Sequence, residues 1–351
     1  MRATGRTMAG RFRSRRGLVA VAAILLAAVV ATGGCKSKSP QRQVVVYCSV
    51  DQAVAEPIIA EFQRRTGILV LARYDTEASK TVGLAQRIRA ESDRPAADVF
   101  WSGEVFHTVR LAREGLLESR PELRPADWPS QYCDEQARWH GFALRCRVIA
   151  YNAGRVAAAD APRTLEDLLD ARWKGRLVMA NPQFGTTGGD IASWFAHYGP
   201  QRAREILQGL KANGVRIVEG NSTALRVAAT GQADVALTDS DDVYAGQRNG
   251  WPVAMNFLDQ GGRGVLVIPN TVAILKGAPH PREGQELAKF LLSEQTEEML
   301  ARSDSHNTPV HASLAEKYCG YAIGHPLDIG YEQVADQLPA AIAAAGEILG
   351  R

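Results

Sequence analysis

Acidic side chains follow one short apolar segment of the chain, and their spacing could create a site for a positively charged group. Asp234 lies in the segment "ADVAL", and Asp239, Asp241 and Asp242 come after it. We call these last three residues the acidic cluster. Carboxylates closer than about 6 Å repel one another and raise one another's pKa unless a cation neutralises them. The cluster is therefore either a solvated turn or one side of a binding site.

Alternating strand and helix patterns in the N-terminal half predict the elements that would position such a site. The apolar runs "QVVVYCSV", "ILVLARY" and "ADVFWSG" predict buried strands, and the amphipathic segments between them predict helices. Strands that alternate with helices in this way predict a parallel sheet with helices on its faces. Ligands of such sheets bind outside the carboxyl ends of the strands, which here directs attention to residues 49–51, 75–79 and 102–104.

The second half of the chain predicts a second lobe and two strands that cross between the lobes. The crossing segments are "GFALRCRVIAYN" and "GVLVIPNTVAIL", with a second α/β set between them. We predict an α/β, two-lobed fold in which each lobe is a mostly parallel sheet with flanking helices. Lobe one comprises residues 43–143 plus 268–300, and lobe two comprises residues 144–267 plus 301–351 with the C-terminal helices. The crossing strands would act as hinges.

The N-terminal segment is typical of an export signal. Arginines precede "GLVAVAAILLAAVVA", an apolar run of about 15 residues, which is shorter than a membrane-spanning helix. The following "TGGC" resembles a lipobox, although Thr32 stands where Leu is usual. We predict a signal peptide over residues 1–34, an acylated Cys35, a polar tether over 35–42, and a lipid-anchored protein at the periplasmic face of the membrane. Ordinary secretion remains the alternative, and both the general secretory and the twin-arginine routes are open, the latter because of "SRRGLV".

Charge, cysteines and absent motifs exclude several function classes. The net charge is +3, but the arginines of the N-terminal segment contribute much of it, so composition does not favour a nucleic-acid partner. Cysteines 48, 133, 146 and 319 match no zinc spacing and allow three full disulfide pairings outside the cytoplasm. The chain has no "GxSxG", "HExxH" or P-loop motif, and we predict that it is not an enzyme.

Nearly all of the chain after the tether resembles the periplasmic solute-binding proteins of ABC importers, in particular the ferric-iron-binding branch with the type II periplasmic-binding-protein fold. The motifs that carry this resemblance are "VVVYCSVDQAVAEPIIAEFQRRTGI", "ADVFWSGE", "RCRVIAYN", "NPQFGTTGG", "GNSTALRVAATGQADVAL" and "NTVAILKGAPHPREGQELAKFLLSEQTEEML". The resemblance implies a monomeric lipoprotein that captures a small ligand in the cleft between its lobes and delivers it to an ABC permease.

The resemblance also indicates which residues would face a cation. Family members commonly hold ferric iron with a His after the first strand, a Glu after the third, and two adjacent Tyr after the "DxAL" strand. Here those positions carry other residues: Asp51 replaces the His, Glu104 lies one residue after the Glu position, and Asp241 and Asp242 replace the two tyrosines. This oxygen-only set suits a hard cation, such as ferric iron, manganese or calcium, or the ammonium group of an organic zwitterion. Its members are Asp51, Glu104, Asp239, Asp241, Asp242 and Tyr244.

An anion-binding set would lie opposite. The Gly/Thr loop "GTTGGD" leads into a predicted helix, whose backbone N–H groups and dipole favour an anion. Arg145 matches the hinge arginine of the family and could bind phosphate or carbonate through two hydrogen bonds. Alternatively, Arg145 forms only a structural ion pair, and the Gly/Thr segment is only a tight turn. The predicted anion or ligand set is Ser49, Ser102, Arg145, Thr186, Thr187, Gly188, Asn221 and Ser222.

Three hypotheses about the ligand and role follow from these sets. The first ligand is ferric iron with a synergistic anion, as transported cargo and not as a resident cofactor. The second is a phosphonate- or phosphate-bearing organic cation, such as an aminoalkylphosphonate or a thiamine-like molecule, or else a divalent cation. The third hypothesis is a sensor or structural lipoprotein that keeps the fold without transport.

Overall fold

The structure is a computed structural model that describes residues 41–75, 79–319 and 323–350. The predicted signal peptide and Cys35 lie outside the described residues, and so does most of the predicted tether. Among the described helices, none combines the length and the apolar character needed to cross a membrane.

Parallel strands and intervening helices form the first part of the chain, as the sequence predicts. The β1–β2 and β1–β3 pairs are both parallel, and Gly67, with φ 68°, ends the first helix in the left-handed conformation that glycine favours. The elements are β1 (Gln43–Cys48), α1 (Gln52–Thr66), β2 (Leu69–Tyr74), α2 (Val82–Ala90), β3 (Val99–Ser102) and α3 (Phe106–Arg113).

A second α/β set follows a long strand. Strand β5 pairs in parallel with β6 and with β7, and helix α4 is broken at Gly199, where φ is 81° and Pro200 follows. The elements are β4 (His140–Asn152), β5 (Leu177–Ala180), α4 (Gly185–Ala212), β6 (Arg216–Val218), α5 (Asn221–Ala229), β7 (Val235–Asp239), α6 (Ser240–Arg248) and β8 (Val253–Phe257).

The chain then returns to the first part and ends in helices. The segment "EGQELAKFLLSEQTEEMLARS" contains parts of two helices, because Ser293 accepts a hydrogen bond from the N–H of Thr296 and begins the second one. The elements are β9 (Val267–Ile274), α7 (Pro281–Leu291), α8 (Glu294–Arg302), α9 (Ala312–Ala315) and α10 (Tyr331–Leu349).

Strands β4 and β9 are the two crossing strands that the sequence predicts. The first half of β4 pairs with β9, which also pairs with β3, and the second half of β4 pairs with β7 and β8. In the described residues the sheet order is β2-β1-β3-β9-β4-β7-β5-β6, with β8 on β4. This is the two-lobed α/β fold expected from the sequence, whereas the exact lobe boundaries stay predictions.

A β-bulge interrupts the pairing between the crossing strands. The register of β4 against β9 shifts between Phe142 and Leu144, and Ala143 at the bulge has a φ of 47°. The Ala143 N–H donates to Glu297 at 2.8 Å, and its carbonyl accepts from the Asn270 side chain at 2.7 Å. Buried Glu297 also accepts from two N–H groups of residues 310–311. The bulge is thus stable in spite of the lost ladder bonds, because side chains satisfy its backbone groups.

Helix α10 packs across α4 and also reaches α3. Its Tyr331 ring lies edge-on to Phe106 of α3, with the two ring centroids 6.2 Å apart. Arg113 at the end of α3 forms an ion pair with Asp336 of α10. The C-terminal helix therefore contacts helices from both parts of the chain.

The described cysteines are all free thiols, so none of the three disulfide pairings that the sequence allows is formed by them. Cys48, Cys133 and Cys146 are buried, and Cys319 is exposed. Burial raises the pKa of Cys48 and of Cys146 to about 12, which makes these thiols poor nucleophiles and poor metal ligands.

Candidate functional site

A cavity of about 290 Å³ lies where the N-termini of six helices meet. The residues at or just before the first turns of α1 to α6 all contribute to its lining. This arrangement follows from the topology, because the carboxyl ends of the parallel strands in each part face the same region. The dipoles of these six helices, whose positive ends point at the cavity, make it attractive to an anion.

Most of the residues predicted for the site line this cavity. They are Ser49, Asp51, Glu104, Arg145, Thr186, Thr187, Asn221, Ser222, Asp239, Asp241 and Asp242.

Three predicted site residues do not line the cavity. The Tyr244 ring lies edge-on to His306, with ring centroids 5.3 Å apart, on another side of α6. Ser102 is buried beneath the cavity, where its hydroxyl accepts from the N–H of Glu104 at 3.2 Å. Gly188 lies within the first turn of α4, where an added Cβ would be 2.6 Å from the carbonyl oxygen of Pro182. Gly188 therefore has a packing role in α4.

Asp239 belongs to a buried polar network. Its carboxylate accepts from Arg147 at 2.7 Å, from Thr186 at 2.6 Å and from Asn221 at 3.0 Å. Arg147 also donates to Asp190 at 3.2 Å. Burial acts to raise the pKa of Asp239, but the nearby Arg147 and Arg145 outweigh it and hold this pKa below its usual value. Asp239 is thus an ionised structural carboxylate at the floor of the cavity.

The carboxylates of Asp241 and Asp242 have fewer ion-pair and hydrogen-bond partners than that of Asp239. Carboxylate oxygens of the three cluster members lie within 4.8 Å of one another. Arg145 approaches Asp241 at 3.5 Å, and Asp242 accepts from Thr238 at 2.9 Å. Burial raises the pKa of Asp241 to about 6, with Arg145 opposing the shift and Asp239 adding to it. Burial and the neighbouring carboxylates raise the pKa of Asp242 well above its usual value, so a cation placed here would relieve the repulsion.

Asp234, at the opposite end of β7, is not part of this site. Its carboxylate forms ion pairs with Arg155 and Arg176. The fourth aspartate around "ADVAL" therefore stabilises the far end of the strand.

The N-terminal part of the chain contributes two further carboxylates. Glu104 is buried and accepts from the N–H groups of Phe106 at 2.7 Å and His107 at 3.2 Å, so it caps α3. Burial raises the pKa of Glu104 to about 7, although these hydrogen bonds oppose the shift. Asp51 forms an ion pair with Lys80 at 2.5 Å. Both oxygens of Glu104 are engaged, which makes Asp51 the carboxylate of this part better placed to face a ligand.

Lys80 and Arg147 are site residues that the sequence analysis missed. Lys80 lines the cavity, and its carbonyl accepts from the N–H of Gly185 at 3.3 Å, which connects the start of α2 to the start of α4. Its position in the sequence could have indicated it, since Lys80 directly follows residues 75–79 at the end of a predicted strand. Arg147 could have been found from Arg145, because residues two apart on a strand share a face.

The cavity extends along the whole of α6. Its lining includes Asp241 and Asp242 in the first turn, Ala245 and Gly246 in the middle, and Asn249 just after the end. Leu225 of α5 and Trp251 complete this far region. No sequence pattern indicated Trp251, because it follows the helix in an irregular segment.

Comparison with known proteins assigns the chain to a family. Residues 44–303 match the family described as bacterial extracellular solute-binding protein. The chain belongs to this family. The match confirms the predicted solute-binding family.

Individual members support this assignment. The chain is 27% identical to iron uptake protein A1 of Synechocystis sp. PCC 6803 over 78% of the chain and 77% of that protein. It is 27% identical, over 67% of the chain and 68% of the other, to a Salmonella typhimurium periplasmic protein whose name gives 2-aminoethylphosphonate as its proposed ligand. The structure of iron-bound HitA from Pseudomonas aeruginosa superimposes with a TM-score of 0.77 at 26% identity, covering 88% of this chain and 99% of HitA. These relatives are named as binding and uptake proteins, in agreement with the prediction that the chain is not an enzyme.

Proposed function

We propose that this chain is the exported solute-binding component of an ABC importer, which captures a small ligand in the cavity and delivers it to a permease. One observation carries the proposal: helix N-termini, Arg145 and Lys80 share a cavity with the acidic first turn of α6. Such a site suits a ligand that has both an anionic and a cationic part. Its anionic part would meet the helix N-termini, and its cationic part would meet Asp241 and Asp242.

Capture would couple to movement of the lobes about the crossing strands. The ligand contacts residues from both parts of the chain only when the cleft is closed, so it favours the closed form by population shift. The permease then recognises the closed form. Asp51 and Lys80 would supply contacts from the first part of the chain, and Thr187, Asn221 and Asp241 from the second.

The ligand that the geometry supports best is a phosphonate- or phosphate-bearing organic cation. No tyrosine lines the cavity among the described residues, so the site lacks the phenolate ligands that the ferric branch commonly uses. The cavity is also larger than one coordinated ion requires, since metal–oxygen distances are only about 2 Å. The relative named for 2-aminoethylphosphonate adds support for this ligand class.

Ferric iron with a small anion is the second candidate. It is favoured by the oxygen atoms of the acidic cluster, which lie within 4.8 Å of one another, and by the relatives named for iron. A divalent hard cation would use the same oxygens.

Calorimetric titration with 2-aminoethylphosphonate and with ferric citrate tests these candidates, together with elemental analysis of the purified protein. We expect micromolar or tighter binding of the phosphonate and no stoichiometric metal. Stoichiometric iron with no phosphonate binding would replace the first candidate by the second. Failure of both ligands, with no co-purifying small molecule in native mass spectrometry, would favour a sensor or structural lipoprotein.

Anchoring at the periplasmic face of the membrane through Cys35 is part of the proposal. Acyl chains on one cysteine add about 0.8 kcal/mol for each buried methylene, which is enough for stable attachment when several chains are present. We expect Cys35→Ser to move the exported protein from the membrane fraction to the soluble periplasmic fraction. An unchanged distribution would contradict lipidation.

A further inference from the structure

The cavity continues along α6 past the acidic pair. The first turn of α6 carries the acidic pair, but the lining continues along the helix to Ala245, Gly246 and Asn249. Gly246, against which Trp251 packs, follows Asp242 by four residues, which is about 6 Å along the helix at 1.5 Å per residue. This end of the cavity therefore lies about one helical turn beyond the acidic pair.

Trp251 and Leu225 line this end beside Gly246, and we call these three residues the tryptophan end. Leu225 of α5 is buried, and Trp251 is half-buried beside the last turn of α6. Gly246 allows them to approach the helix closely, because a Cβ there would be 2.9 Å from Cδ2 of Leu225 and 3.1 Å from Cε3 of Trp251. The backbone N–H of Trp251 donates to the carbonyl of Gly246 at 3.0 Å, which fixes the residue against the helix.

Trp251 presents more than an apolar surface to the cavity. Its indole N–H donates no hydrogen bond to another residue of the described part of the chain. A partly exposed tryptophan of this kind offers a flat face for stacking and a donor for a polar atom of a ligand. The neighbouring Asn249 donates its side-chain amide to the carbonyl of Ala245 at 2.9 Å. This bond keeps the Asn249 side chain against the helix.

We infer that the tryptophan end binds a flat apolar or aromatic portion of the captured molecule. The inference rests on the proposed function, because it assigns the charged groups of the same molecule to the helix N-termini and to Asp241 and Asp242. The ligand class is then an organic phosphonate or phosphate whose cationic group carries an apolar substituent. A metal ion with a small anion would leave this end of the cavity without a role.

A matched pair of probes tests the inference. The short probe is 2-aminoethylphosphonate, and the long probe is its N-benzyl derivative, which has the same charged groups. We expect wild-type protein to bind the long probe about tenfold more tightly, as burial of on the order of 60 Å² of apolar surface would produce. Titration calorimetry at one pH and one salt concentration measures both dissociation constants.

Variants at Trp251 and Gly246 test whether the tighter binding of the long probe depends on the tryptophan end. In Trp251→Ala the ratio of the two affinities should fall close to one, whereas Trp251→Phe should keep most of it. Gly246→Ala should also reduce the ratio, because the added methyl group displaces Leu225 or Trp251. Measurable binding of the short probe shows that each variant is folded.

The outcomes separate this inference from the proposed function. Equal affinities of the two probes for wild-type protein, or a ratio unchanged in Trp251→Ala, would overturn the tryptophan end and leave the phosphonate site intact. Binding of neither probe at millimolar concentration would overturn the proposed organic ligand, and the tryptophan end with it.

Discussion

At the scale of single residues, the site contains two kinds of carboxylate that the sequence cannot tell apart. Asp239 is held ionised by Arg147 and by hydroxyl and amide donors, whereas Asp241 and Asp242 retain raised pKa values. The sequence indicated the position of the whole cluster, because it follows a strand. It could not indicate which members were compensated, since Arg147 comes from another strand, about ninety residues away in sequence.

The buried pair of Arg147 and Asp239 gives the first prediction. Arg147→Met leaves Asp190 without its cation in the protein interior and leaves Asp239 with only Arg145 at 3.4 Å, so the free energy of unfolding should fall by about 3–5 kcal/mol. Arg155→Met is the matched control, because Arg155 pairs with Asp234 but its side chain is 54% exposed. That variant should cost about 0–1 kcal/mol. Urea denaturation measures both, and similar costs for the two variants would contradict the assigned role.

The pKa of Asp241 gives the second prediction. This pKa is about 6, so the carboxyl is partly protonated at pH 6 and gains charge as the pH rises. Affinity for a ligand with an ammonium group should therefore rise between about pH 5 and pH 7, with proton release on binding. Asp241→Asn should bind more weakly and lose this component of the pH dependence, as measured by calorimetry in buffers of different ionisation enthalpy.

The surface variant Asp336→Asn is the control for this measurement. Asp336 lies in α10 outside the cavity lining, so its substitution should leave the pH profile of binding unchanged. An Asp241→Asn profile that follows the wild-type profile would assign the titration to another group.

At the scale of elements, the site lies where the N-termini of several helices come together. The orientation of each helix determines which of its side chains face the cavity. The sequence predicted the strands and their carboxyl ends, because apolar β-branched runs are distinctive. It predicted no helix over residues 240–248, since "SDDVYAGQR" contains few apolar residues. Without that helix, Tyr244 could not be assigned to the side that packs on His306. Gly188 was misplaced for a related reason, because α4 begins at Gly185, earlier than the Gly/Thr loop suggests.

The contact between α3 and α4 gives the third prediction. A Cβ at Gly189 would lie 2.1 Å from Cε2 of Phe106, so Gly189→Ala should overpack the contact and cost about 1–3 kcal/mol. Gly346→Ala is the control, because a Cβ there would meet nothing within 4 Å in α10. The control should stabilise by about 0.5–1 kcal/mol through helix propensity. Thermal denaturation compares them, and a neutral Gly189→Ala would contradict tight packing.

At the scale of the whole molecule, two parts of the chain share one sheet through β4 and β9. The sequence predicted both crossings, because two long apolar segments flank the second α/β set. It could not predict how the C-terminal helix packs, since the apolar face of "EQVADQLPAAIAAAGEIL" does not identify its neighbours. In the structure this helix contacts α4 and α3 together. Movement of the two lobes towards each other must therefore also involve this helix, because it contacts both parts of the chain.

Closure gives the fourth prediction. Saturation with ligand should decrease the radius of gyration measured by X-ray scattering, because contacts from both parts favour the closed form. Ligand at 100 times its Kd should also raise the free energy of unfolding by about 2.7 kcal/mol. A stability gain with an unchanged radius of gyration would mean that the ligand binds without movement of the lobes.

The bulge at Ala143 has a consequence for how long cargo is held. Glu297 and Asn270 satisfy the backbone of Ala143, and Glu297 lies outside the cavity lining. A strand that must bend bends most easily where its ladder is already broken, so the energy of opening depends on these side-chain bonds. Dwell time and chemical selectivity are therefore separable properties. Substitution of Glu297 is expected to alter the rate of cargo escape while every group that recognises the cargo stays in place.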